Sequence, residues 1–240
     1  MEGMKLFKAE EYIDQLSIDS VIFGYKNKEL KVLVAKVHFE GDFWSLPGGF
    51  IYKEEGTDLA AARILEERTG LRDIFLEQYR VFGQEGRSNN VLFENLLNVP
   101  KSDFFTKEDF KWLSQRFVSI AYYALVEIDR VKLSKGVFDE KVEWVDYKKL
   151  PNLIMDHSLM VEHALETLRL NFDRKLIGFN LLPETFTMRE LKELYEAVYD
   201  KPFARNNFQK KMLDLNVLER LEKKYTGAAN KAPYLYRFKH

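Results

Sequence analysis

Between positions 48 and 71 the chain reads GGFIYKEEGTDLAAARILEERTGL, a stretch in which glutamates and arginines crowd a helical run over 57–68. Carboxylates that share a helix face can gather hard divalent cations, and such ions neutralise an anionic substrate and activate water against it. Glu66 and Glu67 stand about 100° apart around a helix, so only one of them faces any such centre. Arg63 and Glu67 are spaced to form an i,i+4 pair, and Arg68 carries a permanent charge that repels a cation. Glu54 and Glu55 belong to the preceding loop, where one or two carboxylates make a poor cage for magnesium. The residue types of a hydrolytic metal site are present, but the arrangement is incomplete.

A second kind of chemistry is written near the other end. From Lys201 onward ten Lys and Arg face Asp214, Glu219 and Glu222, a surplus of seven; with a net charge of −1 overall, the first 200 residues carry −8. A basic segment in a balanced chain points to a polyanionic partner, although a solvated basic surface has the same composition. In ARNNFQKKMLDL (204–215), Phe208, Met212 and Leu215 share one side of a helix. Asn206, Asn207, Gln209, Lys210 and Asp214 fall towards the other. Asn and Gln suit adenine edges, and Arg suits guanine or phosphate. Lys210 and Lys211 chiefly meet phosphate, and Arg205 sits in the first turn, where a reading helix approaches the bases.

The surrounding elements are those needed to hold such a helix. A first helix is predicted over 188–199, with Thr187 and Glu190 as a capping box and Leu191, Leu194, Tyr195 and Val198 as its buried stripe. A short turn, the reading helix and two strands, VLERLEKKY and YLYRF, follow in the order of a winged helix-turn-helix. Lys223, Lys224 and Lys231 flank the wing, placed for backbone phosphates. A small helical domain that binds protein is the plain alternative.

The first part alternates strands and turns. SIDSVIFGY and LKVLVAKVHF flank KNKE as a hairpin; YRVFGQ, FVSIAYYALVEI and VEWVDY supply further strands. Strands framing helices in mixed order imply an α+β or α/β sandwich. The stretch 86–116 is long for a loop. Within it Thr106 and Asp109 form a capping arrangement before a short helix in EDFKWLSQRF, and a lid, a subunit contact or a tolerated surface insertion all fit. A helix over 157–172 begins at Asp156, a potential cap, with Leu159, His163, Leu165 and Leu168 near one side. A boundary near 176–183 divides a domain over 1–174 from one over 175–240. The chain has no cysteine, which excludes disulfides and thiolate metal sites. MEGMKLFKAEEY lacks the pattern of a signal peptide and no long apolar run occurs, so a soluble cytoplasmic protein is expected.

The stretch from Gly49 to Leu71 resembles the Nudix box, G-x5-E-x7-R-E-U-x-E-E-x-G-U, with Gly49, Glu55, Arg63, Leu65, Glu67, Gly70 and Leu71 at the required spacings and WSLPGG upstream. The resemblance implies an α/β Nudix sandwich, a mixed sheet between helices, over most of 15–155. In that frame the metal-binding carboxylate positions are held by Ile64, Glu67 and Arg68, which implies a domain without catalytic residues, metal or cofactor. Coupled to a winged helix, it resembles the Nudix-related transcriptional regulators. These include NrtR repressors of NAD metabolism and AraR-type sugar-responsive regulators of Bacteroidetes. Likeness to the AraR type is carried by SIDSVIFGY, FWSLPGGF, VSIAYYAL, IMDHSLMV, IGFNLLPETFT and RNNFQKK. The implied protein is a homodimer on a palindromic DNA operator that senses arabinose or a related sugar and controls its utilisation genes. An ADP-ribose sensor of the NrtR kind and an active pyrophosphohydrolase are the competing expectations. Position in that fold makes Lys36, Trp44, Ser45, Glu67, Tyr122, Asp156 and His157 candidates for an effector pocket. Trp44 could equally be scaffold, Asp156 a helix cap and His157 packing.

Overall fold

A strand of fifteen residues organises the first domain. β1 (Tyr12–Lys26) turns into β2 (Glu29–Val37) through Asn27 and Lys28, both with positive φ (54° and 64°). Left-handed conformations at both central residues match the twist of a two-residue hairpin, and Lys26 pairs with Glu29 across it, so the hairpin read around KNKE is realised. The computed structural model describes residues 8–37, 42–87, 106–136, 138–174, 177–224 and 232–239. Most of the long stretch 86–116 therefore lies outside the described residues, as does Lys231 at the wing.

β1 serves several neighbours. It runs parallel to β6 (Val118–Val126) from Leu16–Val118 to Gly24–Val126, and antiparallel to β4 (Gly48–Tyr52). β2 pairs with β7 (Asp139–Asp146) and with the two-residue β3 (Trp44–Ser45), and β5 (Phe75–Phe82) closes the far edge on β6. Strands β3 and β4 are absent from the sequence reading, because glycine and proline in WSLPGGF mask short pairings that β1 and β2 impose. Alternation along β1 sends Ile18 and Ile22 to one face, with Ile64 and Leu65 of α1 (Thr57–Thr69). Val21 and Phe23 face the other way, into a cluster containing Met160, Ala164 and Leu168 of α3 (His157–Phe172). The result is a helix-sheet-helix sandwich.

The helix read in the long stretch, α2 (Lys107–Leu113), is capped as read: Thr106 and Asp109 exchange backbone and side-chain bonds. It is firmly docked. Asp109 accepts from the Ala9 amide at 3.0 Å, Trp112 Nε1 donates to Asp14 at 2.8 Å, and the Trp112 ring meets Tyr12, Phe50 and Phe117. Two expectations for α3 fail. Leu159 is exposed and His163 half-buried, because the buried stripe runs through Met160, Val161, Ala164, Leu165, Leu168 and Phe172. Asp156 does not cap the helix either: its carboxylate faces Arg87 instead.

The second domain starts with β8 (Phe186–Thr187), which joins β10 (Tyr234–Phe238) and β9 (Leu218–Lys223) in a sheet of order β8-β10-β9. The two wing strands were legible; β8, two residues long, was not. α4 (Met188–Tyr199) carries the expected capping box, with Glu190 accepting from the Thr187 amide at 2.6 Å, and buries the four expected residues. α5 (Arg205–Asp214) buries Phe208 and Met212, but Leu215 lies past its last turn and is exposed.

One apolar cluster runs from Phe23 and Tyr123 through α3 to Leu194, Tyr195 and Phe208. Phe172 sits fully buried between the domains, edge-on to Tyr195 at 4.9 Å. Truncating a buried phenylalanine costs about 3–5 kcal/mol. Phe172→Ala is therefore expected to lower the unfolding free energy by that amount in urea titration, with fluorescence probes in both domains reporting the loss. An effect confined to one domain would show that the core is not shared.

Candidate functional site

The helix that bears the acidic stretch is pinned by arginines. Arg63 makes a two-pronged contact with Glu55, Nε–Oε1 and Nη2–Oε2 both 2.8 Å, and its Nη2 also donates to the Phe50 carbonyl. Glu67 is its second partner only, at 3.2 Å, with the side chain 55% exposed. Glu55 is thus the structural mate of Arg63, and hydrogen bonds from Arg63 hold its carboxyl below the usual carboxylate range. Glu66 turns away to Arg72 at 2.5 Å. Arg68 bends inward: its Nη1 is paired with Asp139 and its Nη2 donates to the Gly48 carbonyl at 3.1 Å. Ile64 is buried against Gly49. Among the described residues no group of three or more acidic or histidine side chains is placed to hold a metal ion. The positions a catalytic helix would fill with carboxylates hold an apolar side chain, an exposed glutamate and a guanidinium.

The seven candidates for an effector pocket fall in four places. Lys36 pairs in register with Trp44 on one side and Lys141 on the other, while Lys141 Nζ lies 5.7 Å from the Trp44 ring centre. Ser45 adjoins them, its Oγ 3.5 Å from the Ala35 carbonyl, and Lys36 approaches Glu140 at 3.5 Å. Trp44 is buried and donates from Nε1 to Asp42, the scaffold role weighed for it. Glu67 stands on the outer side of α1. Tyr122 lies beneath α1, donating to Asp58 at 2.6 Å, and opens on a groove of about 1110 Å³ that none of the other six candidates lines. Glu54, Glu55, Asp58, Glu66, Asp73 and Glu77 line that groove against Arg63 and Arg72, the wrong sign for a phosphorylated ligand.

Asp156 and His157 belong to a buried network that the sequence did not reveal. The Arg87 side chain is 2% exposed; its Nε contacts both Asp156 oxygens at 3.0 Å, its Nη1 donates to the Phe117 carbonyl at 3.0 Å, and its Nη2 approaches Asp19 at 3.4 Å. Ser119 Oγ donates to the same Asp19 oxygen at 2.5 Å. His157 Nδ1 accepts from the Leu46 amide at 3.0 Å, which leaves the proton of the neutral ring on Nε2, 3.7 Å from Asp19 and without a hydrogen-bond partner. One signal was available: Asp19 is an acid at a core-facing position of SIDSVIFGY. Arg87 and Asp139, distant in sequence from Asp156 and Arg68, gave none.

In the second domain Arg205, Asn206, Asn207 and Lys210 are exposed on α5 and Gln209 is half-buried. Three lysines are less free than expected. Lys211 pairs with Asp173 at 2.6 Å, Lys224 with Glu190 at 3.2 Å, and Lys223 lies 5.5 Å from the Tyr234 ring centre.

Fold and site together define a Nudix-fold domain with a DNA-binding winged helix at its C-terminal side. The family description "NUDIX domain" matches residues 15–164 and "NrtR DNA-binding winged helix domain" matches residues 178–238. The chain belongs to the Nudix family. It is 25% identical over 230 residues, 93% of this chain and 81% of the relative, to an ADPR responsive transcriptional repressor, NtrR, of Acinetobacter baylyi. It is 31% identical over 136 residues to an RNA pyrophosphohydrolase of Pelagibacter ubique, covering 56% of this chain and 80% of that one. In fold it resembles Shewanella oneidensis NrtR crystallised with a 27mer DNA (TM-score 0.69, 24% identity, 94% of each chain). It also resembles a MutT/nudix family protein of Enterococcus faecalis (TM-score 0.67, 19% identity, 99% of this chain and 90% of that one). No helix among the described residues is long and apolar enough to cross a membrane.

Burial drives the His157 pKa below its ordinary 6.5, outweighing the pull of Asp19 and Asp156 and reinforced by Arg87. The unfolded chain takes up a proton near that ordinary value while the folded chain does not, so stability falls as pH drops through 6.5 and levels off below the folded value. Denaturant titrations at pH 7.5 and 5.5 are expected to show this loss, and His157→Gln to remove most of the difference. An unchanged pH dependence in that variant would assign the proton elsewhere.

Proposed function

We propose that this chain is a DNA-binding transcriptional regulator whose Nudix domain binds a nucleotide ligand of the ADP-ribose class without cleaving it. The observation that carries the reading is the fusion itself: a Nudix domain over 15–164 is followed by an NrtR-type winged helix over 178–238, whose α5 exposes Arg205, Asn206, Asn207 and Lys210. Support for the ligand class comes from the relative matched along 93% of the chain, a repressor described as ADPR responsive. That relation favours the nucleotide over the sugar expected from the AraR-type resemblance. Lys36 and Lys141 beside Trp44, at the C-terminal end of β2, offer the cationic and aromatic character such a ligand needs. Loss of hydrolysis is supported by Ile64 and Arg68 at carboxylate positions. The reading includes a homodimer on a palindromic operator, the arrangement by which helix-turn-helix proteins match a two-fold duplex, with the sensor over 1–174 and the reader over 175–240.

Binding is tested by calorimetric titration with ADP-ribose, arabinose and other sugars in turn. ADP-ribose is expected to bind with no release of AMP in magnesium, and a response to a sugar alone would restore the AraR-type reading. For DNA, a duplex is first selected from genomic fragments. Arg205→Ala is then expected to weaken binding roughly 5- to 150-fold, the cost of a lost base or phosphate contact of about 1–3 kcal/mol. Lys210→Ala is expected to reduce the salt slope of binding by about one. Wild-type affinity in both variants would show that α5 does not read the duplex.

An active hydrolase is the second reading, favoured by the 31% identity to an RNA pyrophosphohydrolase over 136 residues. Magnesium-dependent turnover of a dinucleotide substrate, abolished by Glu67→Gln, would establish it in place of the silent sensor.

A further inference from the structure

The end of α1 holds a feature that a merely damaged metal site would lack. Arg68 lies in the last turn of the helix, where the dipole favours a cation, and its side chain is 11% exposed while that of its partner Asp139 is 5% exposed. The guanidinium is received by oxygens on two sides, the Asp139 carboxylate and the Gly48 carbonyl. Asp139 also accepts from the Gly136 amide at 2.6 Å, so its second role is to close the loop that carries it. Gly136 itself is a fitted part: a Cβ there would collide with the Arg68 guanidinium. The same segment is stitched to the helix end, Lys132 N to the Thr69 carbonyl at 2.9 Å and Ser134 N to the Arg68 carbonyl at 3.1 Å.

A divalent cation requires several anionic oxygens and open coordination positions. Here the oxygens converge on a charge that is already present. The family's metal therefore does not fit these residues, and the misfit has its own construction.

We propose that the Arg68 guanidinium is a built-in replacement for a divalent cation, a tethered charge held by the Gly48 carbonyl and the Asp139 carboxylate in a cradle that Gly136 leaves open. It supplies the positive charge that keeps the Asp139 loop folded against α1. It cannot supply what a metal adds, because a guanidinium carries no exchangeable water and never gives up its proton in a protein. The fold at the end of α1 is accordingly independent of divalent metal. The inference rests on the reading of a domain that does not hydrolyse, but its test uses metal alone, so its failure and that of the nucleotide reading are separate results.

Thermal unfolding of the full chain is followed in EDTA and in Mn²⁺ for wild type, Arg68→Met and Arg68→Glu, with bound Mn²⁺ counted by paramagnetic resonance. Wild type is expected to melt at the same temperature in both and to bind no Mn²⁺ at this site. Arg68→Met leaves Asp139 buried without its cationic partner and is expected to melt about 10 °C lower in both. Arg68→Glu places two carboxylates together. It is expected to melt low in EDTA and to recover much of the loss in Mn²⁺, by binding the ion only in the folded state. A stoichiometric Mn²⁺ site in wild type that Asp139→Asn removes would overturn the proposal. So would an Arg68→Glu protein that folds yet ignores Mn²⁺ as Arg68→Met does. Should Arg68→Glu fail to fold, the Mn²⁺ count on wild type and Asp139→Asn decides alone.

Discussion

Arg87 lies where water does not reach, and the carboxylates that close on it fix the relation between segments far apart in the chain. Isolated buried charges cost many kcal/mol, and removal of one partner of a buried pair typically costs about 3–5 kcal/mol. Asp19 comes from β1, Asp156 from the start of α3 and the Phe117 carbonyl from the entry to β6, so these three can approach only in an arrangement that satisfies the guanidinium. Asp19 is further fixed by Ser119 and by Gly48, where any side chain would strike its carboxylate. The first turn of α3 is thus placed by electrostatics, while its later turns are placed by apolar packing.

The two inward arginines illustrate one physical rule with different consequences. Each is buried, each is paired with an acid remote in sequence, and each also takes a backbone carbonyl. Arg87 joins elements of the sandwich to one another. Arg68 ties the end of α1 to the segment that carries Asp139, its guanidinium shared between the Asp139 carboxylate and the Gly48 carbonyl. The retained box residues follow from this. Gly49 gives room to Ile64, Glu55 and Arg63 brace the loop against α1, and Gly70 ends the helix at φ 68°. These are structural duties, required by the fold whatever chemistry the domain performs.

Much of the fold was legible because its signals are local. The KNKE hairpin, the Thr187–Glu190 and Thr106–Asp109 boxes and the stripe of α4 depend on residues within a turn or two of each other. The pairings that build the site are not local: Arg68 meets Asp139 across 71 positions, and Arg87 meets Asp156 across 69. No periodicity announces such partners. Leu159 and Leu215 went astray for a related reason, since a stripe read from spacing alone cannot show how the neighbouring sheet or turn rotates it. Asp156 was read as a cap because its position permits one, and the stronger charge of Arg87 takes its carboxylate away.

Contacts run without a break from the β3 segment to the reading domain. The Trp44 carbonyl accepts from the Ile154 amide at 2.8 Å, the Ile154 carbonyl accepts from the His157 amide at 3.1 Å, and the Leu46 amide donates to the His157 ring. At the far end of α3, Arg169 Nε donates to the Val198 carbonyl at 2.7 Å, the Tyr199 hydroxyl donates to the Arg169 carbonyl at 3.1 Å, and Phe172 enters the core of α4. Contiguity of this kind is not coupling. In the proposed regulator a ligand changes the grip of α5 only by binding one arrangement of α3 better than another, and the size of that difference bounds the response. The chemistry of the joint sets what the alternative must satisfy. A second position for α3 has to keep Arg87 paired and the His157 ring neutral, so a slide along the sheet that retains both carboxylates costs far less than any movement that exposes or separates them.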